Sequence, residues 1–509
     1  MGTTLAPGRL GAAAVTFFAL AATAPIVVLT TVVPAAYATG GGPLVPLSFL
    51  AIGIVGLLFA PGYAALARRA PFAGAMYAYI ARGLGRPAGV GAAWLALACY
   101  QAIQLGLYSL VGAAAAPLLS SWFQVDAEWW TVAAGCWLLV ALGGIIRAEV
   151  SGGLIALLVL GEAAVAVGFA AANVLDPAGG VVTADSIVPA GVDRPALGLL
   201  LAVGLLAFVG LETPGAYAEE AIRPRRDPGL AGYATVAALA VLLAGVSWSL
   251  STAAGADRIT ELARGRGFEL FFDLATARLA PWAVTLGRLI LLTGLVAAIL
   301  ALHHVMARYL FALGRERVLP AAFGRTSRRT AAPRSASLTL SAVTAGLLAA
   351  AVLTRTPLLT GRRLMIVGGL GILVLLVATS VAALLHLNRV PNGEGVWTRF
   401  VAPSFATVAL GLLGHLAFRD LGVLLGTVTS WIVPVAIGGV VALGVLHAMA
   451  LRAARPVVYA GIGQGGVPVV VTPPLPRPRD PLAGPDPGRS GAKEPPNEPG
   501  AHRPERVKR

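Results

Sequence analysis

The chain has 509 residues, of which 57% are hydrophobic and only 12% charged, with a net charge of +15 and a mean hydropathy of +0.81. A soluble domain carries about 25% charged residues to solvate its outside, so most of this chain's surface faces something other than water. The cations are mostly arginines in short loops between apolar runs, the positive-inside pattern of a membrane protein rather than a nucleic-acid footprint, and no nucleic acid partner is expected.

A bilayer core of about 30 Å needs about 20 apolar residues per helical crossing. About twelve such runs follow one another, at 10–37, 44–67, 88–119, 129–146, 151–175, 196–219, 229–254, 281–313, 336–354, 363–388, 398–418 and 423–451. Ala36-Tyr37-Ala38 looks like a signal-peptidase site, but the run before it is about twice the usual 7–15 residues, so it is expected to stay as the first helix. Starting inside, the cytoplasmic loops hold Arg68, Arg69, Arg82 and Arg86, then Arg147, then Arg223, Arg225 and Arg226, then the cluster from Arg315 to Arg334, then Arg389 and Arg399. The opposite loops hold Asp126, Glu128, Asp176, Asp185 and Asp193, with Arg355, Arg362 and Arg363 as an anomalous basic cluster. Both termini are therefore expected in the cytoplasm, in a multi-pass protein of the cell membrane. Segment 255–280 is too charged to cross and predicts an external amphipathic helix or loop. Residues 1–471 are expected as the transmembrane domain and 472–509, rich in Pro and Arg, as a disordered cytoplasmic tail.

Two runs are interrupted. Ala22-Thr23-Ala24-Pro25 puts a proline in the first, and Gly210-Leu211-Glu212-Thr213-Pro214-Gly215 puts glycine, acid and proline together in the sixth. Proline removes a helical hydrogen bond, and lipid offers no replacement, so the freed backbone groups must face protein or a wet cavity. Matched breaks in two halves point to an inverted-repeat transporter site, where half-helix ends hold a carboxylate and an ammonium. The bland reading of either break alone is a proline kink.

Glu162 and Glu212 are the acids deepest in apolar context. A carboxylate there is costly unless paired, hydrated or protonated, so both are proton-coupling candidates, with a structural hydrogen bond as the alternative for each. On the third run Tyr100, Gln104 and Tyr108 stand at i, i+4 and i+8 and form a polar stripe. Thr293 and the pair His303-His304 lie on the eighth; the histidines are read as packing residues, as are Cys99 and Cys136. Gly368-Gly369-Leu370-Gly371 predicts close helix packing. Gly461-Ile462-Gly463-Gln464-Gly465 has no strand before it, so it is not read as a phosphate loop. No catalytic or metal-binding residue and no cofactor is expected.

These residues resemble the amino acid–polyamine–organocation (APC) superfamily of permeases, in its bacterial amino acid permease branch. The likeness runs over 10–463 and rests on Phe59-Ala60-Pro61-Gly62-Tyr63 with Pro71-Phe72-Ala73-Gly74-Ala75-Met76-Tyr77-Ala78-Tyr79, on Phe208-Val209-Gly210-Leu211-Glu212 with Glu219-Glu220 and Arg223-Pro224-Arg225, on Arg308-Tyr309 with Gly314-Arg315-Glu316-Arg317, and on Arg455-Pro456 with Tyr459-Ala460-Gly461. The resemblance implies an all-α polytopic fold with a five-plus-five inverted-repeat core, repeats at 10–175 and 196–390, and two trailing helices at 398–451. It implies a secondary active transporter of an amino acid, polyamine or other amine, working by alternating access; the buried carboxyl of Glu162 adds the expectation that it is coupled to protons. The backbone around Ala22–Ile26 would take the substrate carboxylate, and Phe208 or its neighbour would form an aromatic or apolar lid. This chain departs from the pattern in having Ala-Thr-Ala-Pro where many members have a glycine-rich triplet, and Ala163, with Glu162 beside it, where some carry a lysine.

The candidate substrate-binding residues are thus Thr23, Ala24, Pro25, Ile26, Tyr100, Gln104, Phe208, Gly210, Glu212 and Thr293. The expected partners are a small-molecule substrate, protons and the lipid bilayer. Two other classes fit a polytopic chain: a membrane enzyme such as a lipid-linked transferase, for which 255–280 is the only outer segment, and a sensor or channel-like module that does not transport.

Overall fold

A computed structural model describes residues 4–182, 194–353, 357–426 and 430–467. Asp185, Asp193, Arg355 and the tail from 472 lie outside the described residues. The described residues are helical, without strands. The first run divides into α1 (Ala12–Thr23) and α2 (Pro25–Ala36), and is followed by α3 (Val45–Arg69), the short α4 (Ala75–Leu84) and the long α5 (Arg86–Phe123). Next come α6 (Trp129–Gly143) and α7 (Ala148–Leu175). The sixth run starts as α8 (Arg194–Leu205) and ends in 3₁₀ turns at Leu206–Phe208 and Thr213–Tyr217. Then follow α9 (Asp227–Ala254), α10 (Ile259–Arg266), α11 (Leu270–Thr276), α12 (Pro281–Arg315), α13 (Arg334–Val352) and α14 (Pro357–Arg389). The chain continues with α15 (Ala402–Arg419), α16 (Leu421–Leu425), α17 (Ile432–Ala454) and α18 (Pro456–Gly461).

Among the described residues, eleven helical segments are long and apolar enough to cross a membrane. The remaining run of the expected twelve or so, at 129–146, forms the shorter, 15-residue apolar helix α6. Gly143, which ends α6, and Gly144 after it pack tightly on their neighbours. A Cβ at Gly144 would come within 2.5 Å of His303 Nε2 and Ser337 Oγ, two atoms that hydrogen-bond to each other at 2.8 Å. His303 is accordingly a packing residue, as its apolar setting predicts.

The segment 255–280 is neither a single helix nor a bare loop. It forms α10 and α11, which bury Ile259, Leu270, Phe271 and Phe272 against the bundle. At the periphery, Leu154, Leu157 and Leu160 of α7 and Val435, Leu443 and Leu446 of α17 are exposed, an apolar outer surface such as lipid requires.

At the centre α5 and α14 cross almost in contact, because glycines remove the side chains between them. A Cβ at Gly368 would meet Ile103 Cγ1 at 2.6 Å and the Cys99 carbonyl at 2.7 Å, and one at Gly371 would strike Cys99 Sγ. The Gly-Gly-Leu-Gly sequence is therefore a packing motif, and buried Cys99 is part of it.

The loop charges sort onto two faces. On one, Arg69 binds Glu394 at 3.0 Å, Arg147 reaches the Arg329 carbonyl and Arg389 reaches the Gly83 carbonyl. Burial raises the Glu394 carboxyl, but the Arg69 guanidinium outweighs that and holds it below its usual range. This face also receives the end of the described chain. Glu316, fully buried just past α12, bonds to the Tyr77 hydroxyl and accepts the amides of Gly463 at 3.0 Å and Gly465 at 2.6 Å. Arg82 donates to the Gly463 carbonyl at 3.1 Å. The glycine-rich loop thus cradles an anion after all, but it is the protein's own carboxylate, held in a nest of backbone amides.

A chain ending after Val467 should fold and insert like the full chain. One ending after Tyr459 leaves the Glu316 carboxylate short of two donors, and its thermal midpoint in detergent should fall by an amount corresponding to about 2–4 kcal/mol. Equal midpoints would show that the loop does not brace α12.

Candidate substrate site

The first helix is interrupted at Ala24, whose φ of 51° and ψ of 66° lie in the left-handed region. For a residue with a Cβ this conformation costs about 1–2 kcal/mol, and it turns the chain so that Pro25 starts α2 at a position where no amide is needed. The break leaves one polar end of each kind. At the α1 end the Leu20 and Ala21 carbonyls accept the Ala24 amide at 3.1 and 3.0 Å. At the α2 end the Ile26 amide donates to Glu162 Oε2 of α7 at 3.1 Å, and the Val27 amide has no partner among the described residues. Glu162 therefore caps a half-helix, where a carboxylate complements the positive end of the dipole. Its Oε1 is buried without a partner, facing Gly294 of α12, where a Cβ would stand 2.7 Å away.

The sixth helix breaks at Val209-Gly210. Val209 is extended and Gly210 has a φ of +114°, a conformation suited to glycine alone. Here Glu212 supplies the acceptor, its Oε2 taking the Gly210 amide at 2.9 Å and its Oε1 the Tyr100 hydroxyl at 2.6 Å. Tyr63 of α3 donates to the Glu212 carbonyl at 2.8 Å and accepts the Gly215 amide at 2.6 Å. The two breaks touch. A Cβ at Gly210 would meet Thr23 Cγ2 at 2.8 Å, the Thr23 amide at 2.9 Å and the Ala22 carbonyl carbon at 3.0 Å.

A cavity of about 1120 Å³ starts at this contact, lined there by Ala22, Thr23, Ala24 and Val209. Its walls come from α2, α5, α8, α12 and α14, and it runs out to Thr39, Ser121, Arg264, Glu269, Arg288 and Arg362 on the face that carries α10 and α11. Towards the opposite face the way is filled. Phe18 stacks on Tyr217 at 4.6 Å, Arg308 lies 4.3 Å over the same ring, and Arg308 Nε binds buried Glu220 at 2.6 Å. Arg315 pairs with Glu219, and the Arg9 and Leu10 amides both donate to the Glu220 carbonyl.

An all-helical bundle with two breaks meeting at a one-sided cavity is the framework of a membrane carrier, and the amino acid permease family model matches residues 13–459. The chain belongs to that family. It is a family of transporters within the APC superfamily, not of enzymes, so the protein is a multi-pass membrane transporter with a small-molecule substrate. No curated protein matches the sequence.

In this permease the residues singled out from sequence fall into separate places. Thr23 and Ala24 line the cavity. Pro25 and Ile26 open α2 behind it. Gly210, Glu212 and Tyr100 meet beneath it, in the scaffold of the sixth-helix break. Phe208 is buried and points towards Gly53 of α3, 4.0 Å from where a Cβ would stand there, while its neighbour Val209 lines the cavity. Gln104 is also fully buried and donates to the Ile299 carbonyl at 3.1 Å. Thr293 bonds back to the Ile290 carbonyl at 3.1 Å within α12. The cavity wall that sequence reasoning missed is the neighbouring face of α5, with Ile103, Leu107 and Leu110, opposite Met365 and Ile366 of α14. Arg362, part of the anomalous outer cluster, stands at its mouth.

Gly210→Val should cost at least about 2 kcal/mol of stability, because the new side chain drives the two breaks apart rather than merely filling the cavity. Substrate-induced stabilisation should disappear with it. Pro25→Ala, which keeps the capped α2 end, should retain binding. Thermal midpoints with and without substrate check both, and normal binding by Gly210→Val would show that contact between the breaks is dispensable.

Proposed function

We propose that this transporter is a secondary active carrier of an amino acid or amine that works by alternating access and is coupled to protons through Glu162. The observation that carries the reading is the cavity that reaches two touching helix breaks from one face while ion pairs and stacked rings fill the path to the other. Such an arrangement is one end state of a carrier. The substrate lies against Thr23, Ala24 and Val209, with its carboxylate towards the Val27 amide and its ammonium towards the Ala22 and Thr23 carbonyls, the last of α1. Residues 10–175 and 196–390 are the two repeats, each opened by a broken helix. Pro25, Ile26, Gly210, Glu212 and Tyr100 act by holding the breaks in shape.

Glu162 suits the coupling role because one carboxylate ties α7 to the start of α2, and its second oxygen faces α12 without a partner. Adding a proton removes the charge that complements the α2 end and creates a donor on the α12 side, so the hold on the first helix changes with protonation. Protons entering with substrate make transport rise as the pH on the cavity side falls. Glu162→Gln keeps an acceptor for the Ile26 amide but cannot titrate, so it should flatten that dependence without unfolding the protein. Uptake into proteoliposomes across a pH series decides the matter: sodium-stimulated uptake indifferent to pH would remove Glu162 from this role.

The face bearing Arg68, Arg225 and Arg328 is the cytoplasmic one, with both termini on it, and the cavity opens outward from the cell membrane. Single cysteines at these three positions should resist an impermeant thiol reagent in intact cells, while one at Glu261 should react. Labelling of Arg225→Cys from outside would invert the topology.

A further inference from the structure

The walls of the cavity bear on which substrate it accepts, and this inference rests on the transporter reading above. Near the two breaks the cavity is bounded by the apolar Val27, Ile103, Leu107, Val209, Leu291 and Ile366 and by Thr23, whose hydroxyl donates to the Leu20 carbonyl at 2.7 Å. Among the described residues, no lining carboxylate there offers an oxygen to a cationic side chain. Both Glu212 oxygens are taken by Tyr100 and Gly210. Glu162 is used by Ile26, its remaining oxygen faces α12, and neither acid lines the cavity. The lining acid, Glu269, is held by Arg288 at 2.6 Å. Arg264 and Arg362 add two more guanidinium groups to the mouth, so among the described lining residues three arginines face one glutamate.

We infer that the substrate is a zwitterionic amino acid with an uncharged, apolar side chain of the size of leucine or phenylalanine, and that lysine, arginine and polyamines are excluded. The breaks provide for one carboxylate and one ammonium, through the Val27 amide and the α1 carbonyls. A second ammonium would pass three like charges and then come to rest on hydrocarbon, where an unpaired charge is strongly disfavoured. A side-chain carboxylate is attracted at the mouth but meets the same apolar wall inside. A cavity of about 1120 Å³ leaves room for a large side chain, which its walls would desolvate favourably.

The test uses the full-length protein purified in detergent, its thermal midpoint titrated separately with L-leucine, L-phenylalanine, L-glutamate, L-lysine and putrescine. Leucine or phenylalanine should stabilise at concentrations about a hundredfold or more below those at which lysine, glutamate or putrescine does so, the ratio that a few kcal/mol of unpaired charge produces. Lysine, glutamate or putrescine acting at equal or lower concentration overturns the inference and leaves the transporter reading intact. If none of the five stabilises the protein or enters proteoliposomes, both fall. Ile366→Asp, which places a carboxylate on the wall, should improve lysine relative to leucine at least about tenfold, and Ile366→Ala should not. Equal shifts in the two variants would show that the apolar wall does not exclude the second charge.

Discussion

Two carboxylates standing in for missing helical carbonyls are the constraint on which the rest of this transporter depends. A helix that breaks within a membrane exposes amides that lipid cannot satisfy, at several kcal/mol each. Glu162 takes the Ile26 amide and Glu212 the Gly210 amide, so each break is closed by an acid from within the fold. The two acids are held differently. Tyr100 and Tyr63 hold Glu212 and the turn that follows it, while Glu162 reaches across from α7. The breaks are therefore fixed in shape by α3, α5 and α7, and their contact through Gly210 follows from that shape.

Satisfying the breaks internally has a consequence for the cavity. Polar side chains recruited to hold backbone groups are no longer available to a ligand, and what remains to face the cavity is mostly apolar. On the proposed reading, recognition of a polar substrate there falls to backbone groups and to the few hydroxyls on the wall, with charge confined to the mouth. A site that binds through backbone discriminates poorly between α-amino acids by their common part, so its side-chain preference must come from the wall.

The same logic explains which parts were legible in the sequence. The helices were legible from the length of the apolar runs, and both breaks from Pro25 and from the glycine and proline around Glu212, because these residues act on the backbone wherever they stand. Gly368 and Gly371 were legible as packing for the same reason. The cavity face of α5 was not. Tyr100, Gln104 and Tyr108 mark a polar stripe, and polarity in a membrane helix suggests a site, yet they are buried against protein while Ile103 and Leu107 line the cavity. In lipid a polar side chain must find a protein partner, so a stripe of them identifies an interface as readily as a binding face. Nothing in the pattern of one helix distinguishes the two; only the positions of Glu212 and Ile299 do. Arg362, the basic residue that did not fit the loop pattern, lines the mouth of the cavity, a place that loop charge alone does not reveal.

The closed face is built on opposite terms from the cavity, and this asymmetry matters for how a carrier would switch. Arg308, Arg315 and Glu316 are all close to full burial near the end of α12, each tied to a partner from another segment: Glu220, Glu219, and Tyr77 with the 463–465 loop. Removing one partner from a buried ion pair costs about 3–5 kcal/mol because the other charge is stranded, whereas a pair that is fully hydrated contributes about 0–1 kcal/mol. Partial opening at this face is therefore the worst state available, since it separates charges before water can reach them. Opening that floods all of them together is far less costly, because each freed charge is solvated as it leaves its partner. A seal made of buried charge thus favours all-or-none opening over leakage, the property alternating access requires of the face that is shut.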